Sequence, residues 1–248
     1  MVRSRATELL YKGSFPPKEV SRPDCPPLYF STAYEVEDMD DYDYASGGGK
    51  YFYNRTAAPN RDMLAEAITY MEDGEDSIIT SSAMAAISST LLSLLKSGDR
   101  ILCSKAAYGE TIELLKNLLP NFGIIADFAD FTDINDVQSN IHAETKILYT
   151  EIISNPLIQV VDIDAVARLG KEHGILTIVD STFTTPFAIR PLEHGADIVI
   201  HSLTKFFGGH GDITGGSITG SKELIGRIDP NYLLLGGCLD PHSAWLAL

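Results

Sequence analysis

The chain has 248 residues, of which 44% are hydrophobic, and this is enough apolar material for one large core or for a domain with an arm. Its 34 acidic residues against 19 basic residues give a formal net charge of −15, which argues against binding to nucleic acid or to an anionic membrane through general electrostatics. Small molecules and other proteins remain as partners.

Cysteine content and the first residues bear on the cellular compartment. Cys25, Cys103 and Cys238 lie far apart and form no CxxC pair, so the sequence predicts neither a zinc site nor a disulfide framework. No apolar run is long enough to span a membrane, and residues 1–12 lack the apolar core of a secretory signal. We therefore expect a cytoplasmic protein without a membrane partner.

The amino-terminal part of the chain has the composition of an arm. Residues 1–49 lack a periodic apolar pattern and are rich in proline, acid and glycine, which is typical of extended or loop structure. From Asp62 onward the apolar residues recur at helical spacing. We therefore divide the chain into an N-terminal arm over residues 1–60 and an α/β domain over residues 61–248.

Predicted strands and helices alternate through the rest of the chain. The strands are predicted at 77–80, 100–103, 123–126, 146–150, 175–180, 198–200 and 213–219, and the helices at 83–96, 110–118, 134–142 and 163–173. Elements that alternate this regularly predict an α/β fold with a mostly parallel sheet and helices on both faces.

Two residues near the end of this pattern predict a cofactor site. Asp180 ends a β-branched strand, and ligands gather at the carboxyl ends of parallel strands. Lys205 follows the next strand, within a run of glycines and hydroxyl residues. An aldehyde-capturing lysine and an acid that keeps a pyridine nitrogen protonated are what pyridoxal phosphate requires. Taken singly, Lys205 also fits a solvated turn and Asp180 a helix cap.

Other motifs do not indicate a nucleotide or metal site. The segment 47–50 lacks P-loop spacing, and the glycines after Lys205 do not form GxGxxG after a first strand. His201, His210 and Asp212 form no ligand cluster, so we expect solvated or supporting roles for them.

The segment Val179–Gly216 resembles the signature block of the Cys/Met-metabolism family of pyridoxal-phosphate enzymes. That family contains cystathionine γ-synthase, cystathionine lyases and methionine γ-lyase. The resemblance extends over nearly the whole chain, in the elements PPLYFSTAY, YNR, SSAMAAI, YGET and SNP. It implies a fold type I large domain preceded by an extended arm, with pyridoxal 5'-phosphate as the cofactor.

The resemblance implies catalytic roles for three residues. Lys205 would hold the cofactor and shuttle the Cα proton of the substrate. Asp180 would stabilise the protonated ring nitrogen. Tyr108 would stack on the ring and protonate the leaving group, although a tyrosine standing alone would be interpreted as a core residue.

Further cofactor contacts are implied at several positions. Ser82, Ala83 and Met84 open a helix directly after a strand, where exposed amides attract phosphate, and a plain helix cap is the alternative. Asn155 would bond the ring hydroxyl or simply form an Asn-Pro turn. Phosphate contacts are also implied for Ser202 and Thr204 and, from a neighbouring subunit, for Tyr53 and Arg55.

The implied activity is β- or γ-elimination or γ-replacement. Candidate substrates are cystathionine, homocysteine, methionine, cysteine and O-acylhomoserine, and the implied assembly is a homodimer or homotetramer with shared sites. Family members continue past the position of Leu248 through a smaller domain whose arginine binds the substrate carboxylate. A catalytically silent cofactor-binding or scaffold protein is therefore the alternative to an enzyme.

Overall fold

The computed structural model describes residues 24–248, so the predicted arm is described from Asp24 onward and its earlier part lies outside the described residues. Between Asp24 and Ala58, the described part of the arm contains one helix, α1 (Met39–Ser46), which the sequence analysis did not predict. The Asp38 carboxylate begins this helix by accepting a hydrogen bond from the Asp41 amide at 2.9 Å. Its apolar side chains form no buried stripe, since Ala45 is its buried residue, and this explains the missing sequence signal.

Seven strands form one sheet in the order β1-β7-β6-β5-β4-β2-β3. The pairs of β7 with β1 and β6 are antiparallel, and the other pairs are parallel, which confirms the predicted mostly parallel sheet. The strands are β1 (Asp76–Thr80), β2 (Arg100–Ser104), β3 (Ile125–Ala129), β4 (Thr145–Glu151), β5 (Leu176–Asp180), β6 (Ile198–Ser202) and β7 (Gly216–Gly220).

Helices are present at the predicted positions between Asp62 and His173, and three further helices after Asp180 were not predicted. The helices after α1 are α2 (Pro59–Glu72), α3 (Ala83–Leu94), α4 (Gly109–Glu113), α5 (Ile134–Ser139), α6 (Ile163–His173), α7 (Thr185–Ala188), α8 (Lys222–Leu235) and α9 (Pro241–Ala247). Short helical turns cover Leu114–Leu118, Leu119–Phe122, Pro191–His194 and Leu203–Phe207. In the part of the chain from Asp24 to Leu248, no helix is both long enough and apolar enough to cross a bilayer.

Two predicted strands begin later than expected. Gly123 ends a helical turn with a φ of 74°, so the strand predicted at 123–126 is shifted to β3. The strand predicted at 213–219 starts only at Gly216, because the residues before it close the turn that carries Lys205.

The two faces of the sheet have separate cores. Tyr149, Ile178 and Ile200 point to one face, which α3 and α8 cover, whereas Leu148 and Val179 point to the other, which α6 covers. Neighbouring residues along a strand alternate between the faces, as β geometry requires. The predicted covering of both faces is therefore confirmed.

Candidate active site

The carboxyl ends of the strands bring most of the predicted site residues to one edge of the sheet. Glu151 of β4 pairs in register with Asp180 of β5. Thr80 of β1 and Ser202 of β6 both pair with Gly216 of β7. Because β1 and β6 are each antiparallel to β7, they run in the same direction and end at the same edge. The segments that follow these strands and β2 carry Ser82, Ala83, Met84, Tyr108, Asn155, Thr204 and Lys205.

The charged side chains at this edge share one face of the sheet. Asp180 and Glu151 lie two positions beyond Ile178 and Tyr149, so they point toward the face covered by α3. The amino end of α3 lies directly after β1, at the same edge. A carboxyl pair and a helix amino terminus therefore lie in one region of this edge.

Asp180 is the buried acid of this region, with 8% of its surface exposed. Its Oδ1 accepts a hydrogen bond from the Thr182 amide at 2.9 Å. Burial raises the pKa of Asp180 above its usual value, and the hydrogen bonds from Thr182 and the imidazole of His201 act in the opposite direction. Within residues 24–248, no lysine or arginine forms an ion pair with this carboxyl.

Lys205 lies in the tight turn Leu203–Phe207 with its side chain exposed. The turn is held at its start by Leu203, whose amide donates to Gly215 O at 2.9 Å. It is closed by Gly208, whose amide donates to Leu203 O at 2.8 Å. A Cβ on Gly208 would lie 2.8 Å from both Leu203 O and the Ile213 side chain, so glycine is required for this closure. The turn thus presents the Lys205 amine at the edge.

The amino end of α3 supplies donors beside this turn. The Ser82 hydroxyl caps the helix by accepting from the Ala85 amide at 3.1 Å. The amides of Ala83 and Met84 have no acceptor within the helix, because they belong to its first turn. A Cβ on Gly216 would lie 2.5 Å from Ser82 O, so glycine allows β7 to approach the start of the helix. This arrangement is suited to an anionic group.

Two hydroxyl residues border the same region. The Ser202 amide donates to the Thr182 hydroxyl at 2.7 Å, and the Thr204 hydroxyl accepts from the Gly215 amide at 3.1 Å. Asn155 follows β4 and is exposed. These side chains are accessible from the edge, and each can donate a hydrogen bond.

Tyr108 lies in the turn between β2 and α4 with 49% of its surface exposed, so the core-tyrosine alternative is wrong. Its amide donates to the Glu151 carboxylate. Burial and the nearby Asp180 raise the pKa of Glu151 to about 7. The sequence analysis missed Glu151, and the available signal was a glutamate at the end of a strand next to the Asp180 strand.

Tyr53 and Arg55 lie in the segment before α2. Arg55 Nη1 donates to Leu233 O at 2.9 Å, and the guanidinium lies 5.6 Å from the centre of the Tyr53 ring. These contacts are with the end of α8 and with each other. The structure does not bring either residue into contact with Asp180 or Lys205 of the same chain.

His201 is completely buried, so the solvated role considered for it is wrong. Its Nε2 is bonded to the carboxylate of Glu72, which is also completely buried. The His201 ring contacts Phe207 edge to face, with centroids 4.8 Å apart. The Glu72–His201 pair thus joins α2 to β6, and the contact with Phe207 links this pair to the turn that carries Lys205.

Comparison with known proteins identifies the family. The family model described as Cys/Met metabolism PLP-dependent enzyme matches residues 6–248. Cystathionine gamma-synthase/O-acetylhomoserine (thiol)-lyase of Bacillus subtilis is 40% identical over 223 residues, which are 90% of this chain and 58% of that protein. L-methionine gamma-lyase of Pseudomonas putida is 34% identical over 248 residues, which cover 98% of this chain and 62% of that protein.

A solved structure agrees with this result. It is a putative O-acetylhomoserine (thiol)-lyase from Campylobacter jejuni that contains N'-pyridoxyl-lysine-5'-monophosphate. It has a TM-score of 0.83 and 30% identity, covering 90% of this chain and 64% of that one, and it confirms the fold type I architecture. The chain thus spans about 60% of the length of each of these three proteins. By the match of its sequence and of its fold, the chain belongs to the Cys/Met-metabolism family of pyridoxal-phosphate-dependent enzymes.

Proposed function

We propose that the chain carries the cofactor-binding domain of a pyridoxal-phosphate-dependent carbon–sulfur lyase or γ-replacement transferase. The single observation that carries this proposal is the placement of Asp180 and Lys205 at the same edge of the sheet. Asp180 is buried at a strand end without a cationic partner in the described chain, and Lys205 is exposed on a rigid turn at the same edge. A protonated pyridine nitrogen would supply the missing positive partner, and an aldehyde would engage the amine.

The proposed cofactor contacts use donors that the fold already places at the edge. When bound, pyridoxal 5'-phosphate supplies an electron sink for the electrons released at the substrate Cα. The amides of Ala83 and Met84 suit its phosphate, because a helix amino terminus favours negative charge. Further phosphate contacts are assigned to Ser82, Ser202 and Thr204, and the contact to the ring hydroxyl is assigned to Asn155.

Three side chains are proposed to act on the reaction itself. Asp180 would stabilise the protonated ring nitrogen as a carboxylate. The Lys205 amine would hold the cofactor through its aldehyde and would take the Cα proton of the substrate. Tyr108 would stack on the ring and deliver a proton to the leaving sulfur or oxygen. Its exposed position at the edge supports this role.

The proposed substrates are amino acids that carry sulfur or an acylated oxygen on the side chain. Cystathionine, homocysteine, methionine, cysteine and O-acylhomoserine belong to this class, and elimination and replacement share the steps described above. The net charge of −15 supports a small-molecule substrate rather than nucleic acid or a membrane. Cys25, Cys103 and Cys238 are free thiols, which supports a location in the reducing cytoplasm.

The proposed assembly is a homodimer or homotetramer in which the arm over residues 1–60 contacts a neighbour of the domain over residues 61–248. The arm contacts its own domain at Pro26, whose carbonyl accepts from Trp245 Nε1 at 2.7 Å, and at Arg55, which donates to Leu233 O. Between these two contacts it exposes large apolar side chains, with Phe30 at 74% and Met39 at 70%. A partner surface would bury them. Tyr53 and Arg55 would then contact the phosphate of the neighbouring site.

A mixed oligomer tests the shared site. When chains carrying Lys205→Ala and Arg55→Ala combine in a dimer, one site contains both defects and the other contains neither. We expect half of the sites in verified mixed dimers to regain the cofactor affinity of the unaltered chain. Full cofactor affinity in a verified monomer would contradict the assignment of Arg55 to a neighbouring site.

Titration of the full chain with pyridoxal phosphate tests the proposed function. We expect a visible absorbance band that saturates at one cofactor per chain and is lost in Lys205→Ala. Lys171→Ala is the matched control, because Lys171 is exposed on α6 at the opposite face of the sheet. An amino-acid panel then measures release of α-keto acid and thiol. Cofactor binding without any product would favour the catalytically silent alternative, and an unchanged band in Lys205→Ala would refute the cofactor site.

A further inference from the structure

Glu151 is a carboxyl of the candidate site to which the proposed reaction assigns no role. It ends β4, pairs in register with Asp180, and points toward the face covered by α3. Two carboxyls side by side repel each other when both are ionised. Their mutual effect is visible at Glu151, where burial and the charge of Asp180 raise the pKa to about 7. Carboxyls perturbed by burial and by a like charge cluster at functional sites, so Glu151 is a candidate for a task in this site.

The hydrogen bond of Glu151 defines this task. Its carboxylate accepts from the amide of Tyr108, a residue 43 positions earlier in the chain. The Tyr108 side chain is half-exposed and stands at the start of α4, a helix of only five residues. Glu151 is therefore the contact through which the peptide group of Tyr108 is joined to the strand beside β5.

The rest of the turn is held at other points. The Lys105 amide donates to Ala129 O at 2.9 Å, and Ala107 is buried in the core beneath α4. These contacts fix the path of the chain up to the residue before Tyr108. The Tyr108 carbonyl accepts from the Ile112 amide at 3.1 Å, so the peptide group after Tyr108 is held by the helix. The peptide group before Tyr108 donates its N–H to Glu151, and this bond holds the start of the residue that carries the tyrosine ring.

We propose that Glu151 is a positioning residue that holds the Tyr108 peptide against the carboxyl edge of the sheet and so keeps the tyrosine ring over the Asp180 region. This inference rests on the proposed function, because the ring matters only if a cofactor and substrate bind there. The positioning itself requires only a hydrogen-bond acceptor at the end of β4. A glutamine can supply this acceptor, whereas an apolar side chain of the same length cannot.

Amide hydrogen exchange of the full chain, with and without pyridoxal phosphate, tests the inference. In Glu151→Met the side chain keeps its length and loses its acceptor, so we expect exchange at the Tyr108 amide to accelerate by about tenfold or more. In Glu151→Gln the exchange should stay close to that of the unaltered chain. If the methionine variant does not fold, Glu151→Ala carries the same expectation.

Glu75 provides the matched control. Its carboxylate accepts from the Lys222 amide at 3.0 Å at the start of α8. Glu75 precedes β1 and Lys222 follows β7, so this contact lies at the edge of the sheet opposite the candidate site. Glu75→Met should accelerate exchange at Lys222 and leave the Tyr108 amide unchanged. A general loss of stability in the Glu151 variants would instead accelerate both amides together.

The visible circular dichroism of bound pyridoxal phosphate gives a second readout. A tyrosine ring held against the cofactor contributes to this signal, so we expect the signal per bound cofactor to fall in Glu151→Met and to return in Glu151→Gln. Equal Tyr108 exchange in the two Glu151 variants would overturn the inference. The exchange result without cofactor does not depend on cofactor binding, whereas failure of the proposed function would appear as an unchanged visible band in Lys205→Ala.

Discussion

Removal of the Glu72 carboxyl should destabilise the fold more than any surface substitution on α2. Glu72 and His201 are both completely buried, and each is bonded to the other. The remaining polar atoms of the pair, Glu72 Oε2 and His201 Nδ1, have no hydrogen-bond partner in the described part of the chain. In Glu72→Ala the imidazole therefore loses its compensating contact inside the core. Leaving a buried polar group without its partner in this way costs about 1–3 kcal/mol of unfolding free energy.

Urea unfolding followed by far-UV circular dichroism measures this cost. Domains of this kind have a total stability of about 5–15 kcal/mol, so the predicted loss is a large fraction of it. Glu66→Ala is the matched control, because Glu66 is exposed on the same helix, and its effect should stay within about 0.5 kcal/mol.

A double substitution measures how strongly Glu72 and His201 depend on each other for stability. Replacing both Glu72 and His201 with leucine removes both polar groups, and the loss should be smaller than the sum of the two single losses. A cost below about 1 kcal/mol for Glu72→Ala, or strict additivity in the double variant, would refute the reasoning.

Three further predictions concern the edge of the sheet. Folding raises the pKa of Glu151 from 4.5 to about 7, so the folded state disfavours the ionised carboxylate. At pH 8, Glu151→Gln should therefore be more stable than the unaltered chain by up to about 3 kcal/mol in urea unfolding. At pH 4, where the carboxyl is protonated, the two should be equally stable. Gly216→Ala should lower the unfolding free energy by about 1–3 kcal/mol and weaken cofactor binding, because the added Cβ would lie 2.5 Å from Ser82 O. The control Gly226→Ala should be neutral or stabilising, because no atom lies within 4 Å of the added Cβ. Asp180→Asn should keep the visible cofactor band at high cofactor concentration and raise the dissociation constant measured by titration, because the ring nitrogen loses its anionic partner. The first prediction would be contradicted by equal stability of Glu151→Gln and the unaltered chain at pH 8. The second would be contradicted by equal effects of the two glycine variants, and the third by an unchanged dissociation constant in Asp180→Asn.

Local signals explain how much of the fold could be predicted from the sequence. Helix α6 was predicted within its observed bounds, because Asp162 caps its start and Gly174 ends it with a φ of 66°. Strand β5 was predicted because its sequence is rich in β-branched residues, and the structure shows that most of them are buried. Helix α1 was not predicted, because its exposed side chains carry no periodic apolar pattern.

The candidate site was predicted only in part, for a different reason. Asp180 and Lys205 were found because each lies at the end of a strand within a recognisable segment. The contacts of Glu72 with His201 and of Glu151 with Tyr108 join residues 129 and 43 positions apart. Such contacts depend on strand order and register, which a single sequence does not encode locally.

The cofactor attachment site is the most direct test of the central claim. The full chain is incubated with pyridoxal phosphate, reduced with borohydride, digested and mapped by mass spectrometry. The account predicts that the pyridoxyl group is found on Lys205, and that Asp180→Asn lowers the labelled fraction at limiting cofactor. A pyridoxyl group located mainly on another lysine, or no labelling above that of Lys205→Ala, would contradict it.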